Sequence, residues 1–271
     1  MTGPTLHRIQ VDSRSIAYRD EGEGSAVVLL HGFLCDSRAW NHQLHDLSDA
    51  FRVVAWDAAG GGASDDPPET FTIKDWADDL RRLLDALSVE EAHVVGLSWG
   101  GLVAQAFYDL YPSRVSDLVL SDTYAGWKGS LPSDVVAKRL ARCLSESELA
   151  PAELVARWVP VEFFTEAVSG DVAATMAAIV SDFHPLGFRL MARSLAENDT
   201  TALLPAIHVP TLLLWGEADQ RSPIAVAERF REAIPNAELR IVPGAGHVSN
   251  MEQPNVFISL ARRFFLSRLL D

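Results

Sequence analysis

Cysteine is scarce in this chain. Cys35 and Cys143 are the only two among 271 residues, with no paired spacing and no metal-type Cys or His motif beside them. A disulfide scaffold is therefore excluded, nothing requires an oxidising compartment, and both read as free, buried thiols. Positive charge is also short: 23 Lys and Arg stand against 37 Asp and Glu, a formal net charge of −14. Such a field repels phosphate backbones and anionic lipid, which makes nucleic acid a poor partner. No apolar run approaches the ~18 residues of a membrane span. The opening MTGPTLHRIQVDSR lacks a charged start followed by an apolar stretch, so no membrane association and a cytoplasmic location are expected. Repeats and low-complexity tracts are missing too. What remains is an ordinary globular composition, 48% hydrophobic and 22% charged, long enough for one large core or one domain carrying an insertion.

Four short apolar segments dominate the first half: Ala26 to Leu30, Phe51 to Trp56, Ala92 to Leu97 and Val115 to Ser121. They are near-continuous rather than alternating, as strands buried on both faces of a parallel sheet must be. Between them, IKDWADDLRRLLDAL places Ile73, Trp76, Ala77, Leu80, Leu83, Leu84 and Leu87 on one stripe of a 3.6-residue helix. The segment after Ser98 is apolar almost all round and stops before Pro112, which predicts a helix packed deep against the sheet. Thr211 to Gly216 and Glu238 to Pro243 resume the strand pattern, while LHRIQV and RSIAYRD read as an antiparallel pair at the sheet edge, joined at Asp12 and Ser13. Strand alternating with helix gives an α/β fold with a mostly parallel sheet flanked by helices. Residues 125–204 break the alternation. They carry helix-type sequences at Asp134 to Leu144, Glu146 to Trp158, Asp171 to Phe183 and Phe188 to Ala196, and predict a helical cap inserted into a core made of 1–124 and 205–271.

Gly96-Leu97-Ser98-Trp99-Gly100 fits a nucleophile elbow, a sharp strand-to-helix turn that exposes a serine oxygen. Such a pentapeptide arises by chance in about one chain in ten of this length, so its setting decides. Here it lies between a buried strand and an apolar helix, whose free N–H groups favour negative charge developing nearby. His31-Gly32-Phe33 follows another buried strand directly, and the backbone N–H groups of Phe33 and Trp99 are the expected oxyanion hole. His31 itself reads as a loop-pinning residue, and Cys35 as a neighbour of the site entrance.

A serine hydroxyl needs a general base, and histidine is suited by its ordinary pKa near ~6.5. Among eight histidines, His247 sits in Pro243-Gly-Ala-Gly-His-Val, a loop after a late strand that can carry an imidazole over the sheet edge. His7 and His93 lie in strands, His42 and His45 in a polar helix, and His208 precedes Pro210 by two. His184, before Pro185, reads as a helix-start residue that could also reach a substrate. No two histidines fall at ligand spacing with a carboxylate, so no metal is expected. Asp219, in Trp215-Gly-Glu-Ala-Asp, follows a buried strand and is the expected acid behind the imidazole, with Asp122 and Glu217 as competitors.

HGF, WDAAGGGAS, GLSWGG, WGEAD and GAGH, in this order and spacing, resemble the α/β-hydrolase fold superfamily over nearly the whole chain. The resemblance implies a Ser98, Asp219, His247 triad in that family's chain order. Asp57-Ala-Ala-Gly60-Gly61-Gly62-Ala-Ser64 matches the family's D-x-x-G-x-G-x-S loop, with Gly61 where histidine is common. GLSWGGLVAQAF, IHVPTLLLWGEAD and GAGHVSNMEQP are similar to 3-oxoadipate enol-lactonases and small carboxylesterases. A serine at the elbow argues against dehalogenases and epoxide hydrolases, and Val248 after His247 against carbon–carbon bond hydrolases.

The expected reaction is cleavage of a small-molecule carboxylic ester or lactone through an acyl-enzyme, with no cofactor. A small-molecule receptor on the same fold, a carbon–carbon bond hydrolase, ranked lower for its Val248, and a cofactor-free perhydrolase are the alternatives. Trp127, Trp158 and Phe188 are the cap residues expected to meet substrate, with Phe163, Phe164, Met176, Phe183 and Met191 as further candidates and cap packing as the alternative for each. Arg189 and Arg193, one turn apart, could receive a substrate carboxylate or simply be solvated. A pH–rate profile is expected to show activity rising with pH as the imidazole base loses its proton.

Overall fold

The computed structural model describes residues 5–268, so Met1 to Pro4 and residues 269–271, the outer ends of the expected core segments, lie outside it. Eight strands form one sheet in the order β1-β2-β4-β3-β5-β6-β7-β8. β1 (Leu6–Val11) and β2 (Arg14–Glu21) are the expected antiparallel pair, and β2 runs antiparallel to β4 (Arg52–Trp56). From β4 onward every pairing is parallel: β3 (Ala26–Leu30), β5 (Ala92–Leu97), β6 (Val115–Ser121), β7 (Thr211–Gly216) and β8 (Ala237–Val242). All residues of β3, β5 and β7 are buried, which is why their sequences are near-continuous apolar runs, broken only by His93 and Thr211.

Register aligns the carboxyl ends of these strands. Leu30 pairs with Gly96, Leu97 with Ser121, and Ser121 with Leu214, so the loops that follow all open on one edge. The chain lays β4 on one side of β3 and β5 on the other, and the order reverses at that point. A crevice at such a reversal is where open α/β sheets place ligands.

The helices pack as their patterns require. α1 (Asn41–Leu47) precedes β4, and α2 (Ile73–Ala86) buries Ile73, Trp76, Ala77, Leu80, Leu83 and Leu84. α2 starts where the Thr72 amide donates to Asp75 Oδ2 at 2.7 Å, one half of a capping box. α3 (Trp99–Leu110) is buried from Trp99 through Tyr108, as a helix without a polar face must be. After β7 come α9 (Ile224–Ala233), then β8, α10 (Ser249–Glu252) and α11 (Pro254–Arg268).

Between β6 and β7 lie five helices: α4 (Gly126–Ser130), α5 (Ser133–Glu146), α6 (Pro151–Trp158), α7 (Gly170–Ser181) and α8 (Pro185–Glu197). Two details differ from the sequence reading. Glu146 does not begin the second long helix but ends α5; α6 begins only at Pro151, whose ring suits a first turn and not a helix interior. Val159–Phe163 forms a turn of π-helix, and α4 is a further short helix, both too short for periodicity to reveal. α8 touches the core backbone to backbone: a Cβ on Gly187 would lie 1.8 Å from the Gly60 carbonyl oxygen. Trp99 Nε1 also donates to Ser194 Oγ on α8 at 2.9 Å. Among the described residues no helix is long and apolar enough to cross a membrane.

Arg14 at the start of β2 grips Asp79 of α2 with two 2.8 Å hydrogen bonds, and the carboxylate is only 4% exposed. Burial acts to raise the Asp79 pKa while Arg14 pulls it down, and burial prevails. Arg14→Ala strands a buried carboxylate and is expected to lower the unfolding free energy by about 3 kcal/mol. Urea denaturation checks it; a loss under ~1 kcal/mol would put this pair with exposed surface bridges.

Candidate active site

β5 ends at Leu97, and Ser98 turns the chain into α3 with φ 52° and ψ −113°. A side chain in the left-handed region costs about 1–3 kcal/mol and persists only where its surroundings over-determine it. Here they do. The Ser98 amide donates to Ser121 O at 2.8 Å, while Ser98 O accepts from the Gly101 amide at 3.0 Å and from Thr123 Oγ1 at 2.5 Å. Glycine is needed on both sides of the turn: a Cβ on Gly96 would lie 2.5 Å from Gly100 O, and one on Gly100 would lie 2.3 Å from Leu30 O.

His247 reaches this turn from the loop after β8. Its Nε2 lies 2.8 Å from Ser98 Oγ, and its Nδ1 lies 2.9 Å from Asp219 Oδ2. Asp219 Oδ1 in turn accepts the Arg221 amide at 2.8 Å and the Ser222 amide at 3.0 Å, which leaves Oδ2 to face the imidazole. All three side chains are buried. The imidazole loop is braced from several sides. The Ala218 amide donates to Ala245 O at 2.9 Å, the Val248 amide to Phe163 O at 3.1 Å, and the Gly246 amide to Glu252 Oε2 at 2.6 Å.

The loop after β3 completes the constellation. A Cβ on Gly32 would sit 3.4 Å from Ser98 Cβ, so the backbone around Phe33 passes directly beside the serine. Trp99 is the first residue of α3, where no helix carbonyl can satisfy the amide. His31 makes no bond to Ser98. Its Nδ1 donates to Gly32 O at 2.8 Å and its Nε2 accepts the Ala58 amide at 3.0 Å, so it is a neutral loop pin whose pKa burial holds down. The Asp57 carboxylate plays the same part in the next loop, accepting the Ser37 and Ala63 amides at 2.7 and 2.8 Å.

Gly32, Phe33, Cys35, Leu97, Tyr124, Trp127, Phe163, Leu195, Arg221 and Val248 surround Ser98 and His247 in a narrow cavity. It has room for about one water molecule. Of the three cap residues expected to meet substrate, Trp127 lines this cavity. Phe188 stacks on Phe33 with ring centres 4.7 Å apart and lines the adjoining cavity with Met191, Phe183 and His184. Trp158 lines neither. It packs edge-on against Phe33 at 5.6 Å while its Nε1 donates to Glu146 at 2.7 Å, so it supports the wall from behind. The Trp99 indole does not line the cavity; it packs edge-on against Trp76 with ring centres 5.0 Å apart while its Nε1 bonds to Ser194.

The competing acids are elsewhere. Asp122 is fully buried but bonds to Ser121, Ser249 and the Gly216 amide, and Glu217 accepts the Gly244 amide from an exposed position. His184 caps α8 and bridges Asp66 and Gly62 O. Arg189 pairs at 3.5 Å with Glu148, and neither it nor Arg193 lines the cavity at Ser98. Among the described residues no group of three or more His, Cys, Asp or Glu side chains is placed to hold a metal ion.

Sequence reasoning missed Tyr124 and Arg221. Each stands two residues beyond an acid at a strand's carboxyl end, Asp122 and Asp219, and that position was the available signal. Burial pushes the Tyr124 hydroxyl up to about 12 against the pull of Arg139, which donates to it at 3.0 Å. Arg221 lies over the Trp158 ring and pairs with Glu162. Burial would raise the Glu162 carboxyl, but Arg221 and Arg142 together hold it below the ordinary range.

Residues 27–260 match the model of the Alpha/beta hydrolase family. Among solved structures, a thermophilic esterase from Thermogutta terrifontis superposes with a TM-score of 0.89 at 30% identity, over 97% of this chain and 99% of its own. An enol-lactonase from Burkholderia xenovorans LB400 gives 0.85 at 25% identity, over 96% and 100%. Among curated sequences, 3-oxoadipate enol-lactonase 1 of Acinetobacter baylyi is 27% identical across 97% of this chain and 98% of that protein.

Both cysteines are free, and burial raises both thiols, Cys143 to about 12 and Cys35 further. Neither is a thiolate near neutral pH. Titration with a thiol-reactive dye is therefore expected to count close to none in the native protein and two after denaturation; rapid native labelling of Cys35 would contradict the closed cavity.

Proposed function

The chain belongs to the alpha/beta hydrolase family, and from that premise we propose that it is a serine hydrolase cleaving small carboxylic esters or lactones through an acyl-enzyme on Ser98. One observation carries the reading: a buried imidazole held between Ser98 Oγ and the Asp219 carboxylate by contacts of 2.8 and 2.9 Å. That is the geometry a hydroxyl needs to become a nucleophile.

Ser98 Oγ attacks the substrate carbonyl while its proton passes to His247 Nε2. The amides of Phe33 and Trp99 receive the oxyanion, and Asp219 stabilises the imidazolium and holds its orientation. The intermediate collapses as the carbon–oxygen bond to the leaving group breaks and that oxygen takes the proton from His247. Water then attacks the acyl-Ser98 carbonyl, gives its proton to the same nitrogen, and releases the acid with Ser98 restored.

Residues 125–204 act as the cap in this proposal, since Trp127, Phe163 and Leu195 close over Ser98. The esterase and enol-lactonase relatives support an ester or lactone as substrate. The narrow cavity favours a short acyl group. Two unpaired thiols fit a reducing compartment, and the cytoplasm is the proposed location.

Hydrolysis of p-nitrophenyl esters from acetyl to octanoyl tests the reading. Ser98→Ala is expected to lower kcat by roughly 10⁶-fold, and Asp219→Asn by about 10⁴-fold. A Ser98→Ala variant that keeps most of its activity would overturn the assignment. Wild-type protein inert on every ester and unlabelled by a serine-directed phosphonate, yet stabilised by a ligand, would indicate a receptor. The ladder is expected to peak at acetyl to butanoyl, and Trp127→Ala to move the peak to longer chains; an unchanged peak would remove Trp127 from the acyl-binding wall.

A further inference from the structure

Three consecutive residues beyond the assigned triad touch all three of the loops that carry it. Ser121, Asp122 and Thr123 leave the carboxyl end of β6, with Asp122 itself in the left-handed region at φ 48°. Toward Ser98, the chain offers Ser121 O and Thr123 Oγ1, at 2.8 and 2.5 Å. Toward the Asp219 loop, the Asp122 amide donates to Leu214 O at 3.0 Å, Asp122 Oδ1 accepts the Gly216 amide at 2.7 Å, and Thr123 O accepts Ser222 Oγ at 2.6 Å. Both ends of the loop are thereby held. Toward the His247 loop, Asp122 Oδ2 lies 2.5 Å from Ser249 Oγ, two residues beyond the imidazole, and 2.8 Å from Ser121 Oγ.

A carboxyl group with no exposure is a costly residue to place here, and among the described residues no cation pairs with it. Packing alone would be served better by an apolar side chain. Its oxygens are instead spent on two loops that already meet through the Ala218 amide and Ala245 O, and they add a second tie on the side that faces Ser98. Burial, and next the charge of Asp219, push the Asp122 carboxyl well above the ordinary carboxylate range. Its three partners, the Gly216 amide and the Ser249 and Ser121 hydroxyls, all donate to it and pull the carboxyl back down, and burial outweighs them; once protonated it keeps the Gly216 amide on Oδ1 and turns its O–H to a serine oxygen.

We propose that Asp122 is a positioning residue that acts as a hydrogen-bond bracket, not as a charge: its two oxygens set the spacing between the loop carrying Asp219 and the loop carrying His247. The imidazole is thereby aligned between Ser98 and Asp219. This rests on the reading of those three residues as the triad.

The test compares wild type with Asp122→Ala, Asp122→Asn and Ser249→Ala, following kcat and KM on p-nitrophenyl acetate and the rate of Ser98 phosphonylation, with circular dichroism to check folding. Ser249→Ala removes the histidine side of the bracket while Asp122 stays, so the proposal remains testable if Asp122→Ala does not fold. Asp122→Ala and Ser249→Ala are expected to lose about 10- to 100-fold in kcat and in labelling rate, with KM changed less than about twofold. Asp122→Asn, which keeps the shape and loses the acid, is expected to recover most of the rate that Asp122→Ala loses. Folded Asp122→Ala and Ser249→Ala proteins with wild-type kcat would overturn the bracket, and an Asn variant as slow as Ala would overturn the claim that no charge is needed. A wild type that neither hydrolyses nor labels would overturn the triad reading itself, a result distinct from the other two.

Discussion

The approach of α3 to the carboxyl ends of β3 and β5 sets everything else at this edge of the sheet. Gly96 and Gly100 bring helix and strand backbones to a separation that no Cβ could share, and the chain between them has to pass through the left-handed region at Ser98. The strain is local, but its support is not. It comes from Ser121 O and Thr123 Oγ1 on the next strand and from the Gly101 amide one turn into the helix. The serine oxygen is thus presented by rigid backbone and not by a loop, and the same close approach gives room for the Gly32 segment alongside.

Charge at the site is arranged by unequal treatment of acids that lie close together. Asp219 spends one oxygen on two backbone amides and keeps the other for the imidazole, whereas Asp122 meets hydroxyls and one amide in complete burial and is driven toward its neutral form. Burial is the main cause of that shift and the neighbouring Asp219 charge the second. On the far wall the balance is reversed. Glu162 is ringed by Arg142 and Arg221 and held ionised, which keeps a cation anchored beside the cavity without leaving it free.

The strands and the main helices could be read from the sequence because burial alone decides their pattern: near-continuous apolar runs for β3, β5 and β7, a single stripe for α2, apolar residues almost all round for α3. That Ser98, Asp219 and His247 would meet could be read because each follows a strand's carboxyl end in a segment rich in glycine or other turn residues. The insertion was less legible. Its helices were visible, but Glu146 was given to the wrong helix, because only Pro151, not hydropathy, marks the boundary. Trp158, Trp127 and Phe188 look alike in sequence and differ only in what packs behind them, which periodicity does not contain. Asp122 shows the same limit: a buried acid after a strand has the credentials of a triad member, and only the coordinates show it bonded elsewhere.

The contact of Gly187 with Gly60 divides the roof over Ser98 into two parts of different character. α8 is seated on core backbone at that point and tied again through Trp99 and Ser194, so Phe188, Met191 and Leu195 inherit the positional precision of the sheet. Trp158 and Phe163 come from a segment tied instead to the loops that carry His247 and Asp219: Phe163 O accepts the Val248 amide next to His247, and Glu162 pairs with Arg221, two residues beyond Asp219. Side chains on α8 can therefore change the shape of one wall while the loops that carry Asp219 and His247 stay in place, whereas a change at Phe163 is passed directly to the His247 loop. Variation in the pocket has a free side and a constrained one.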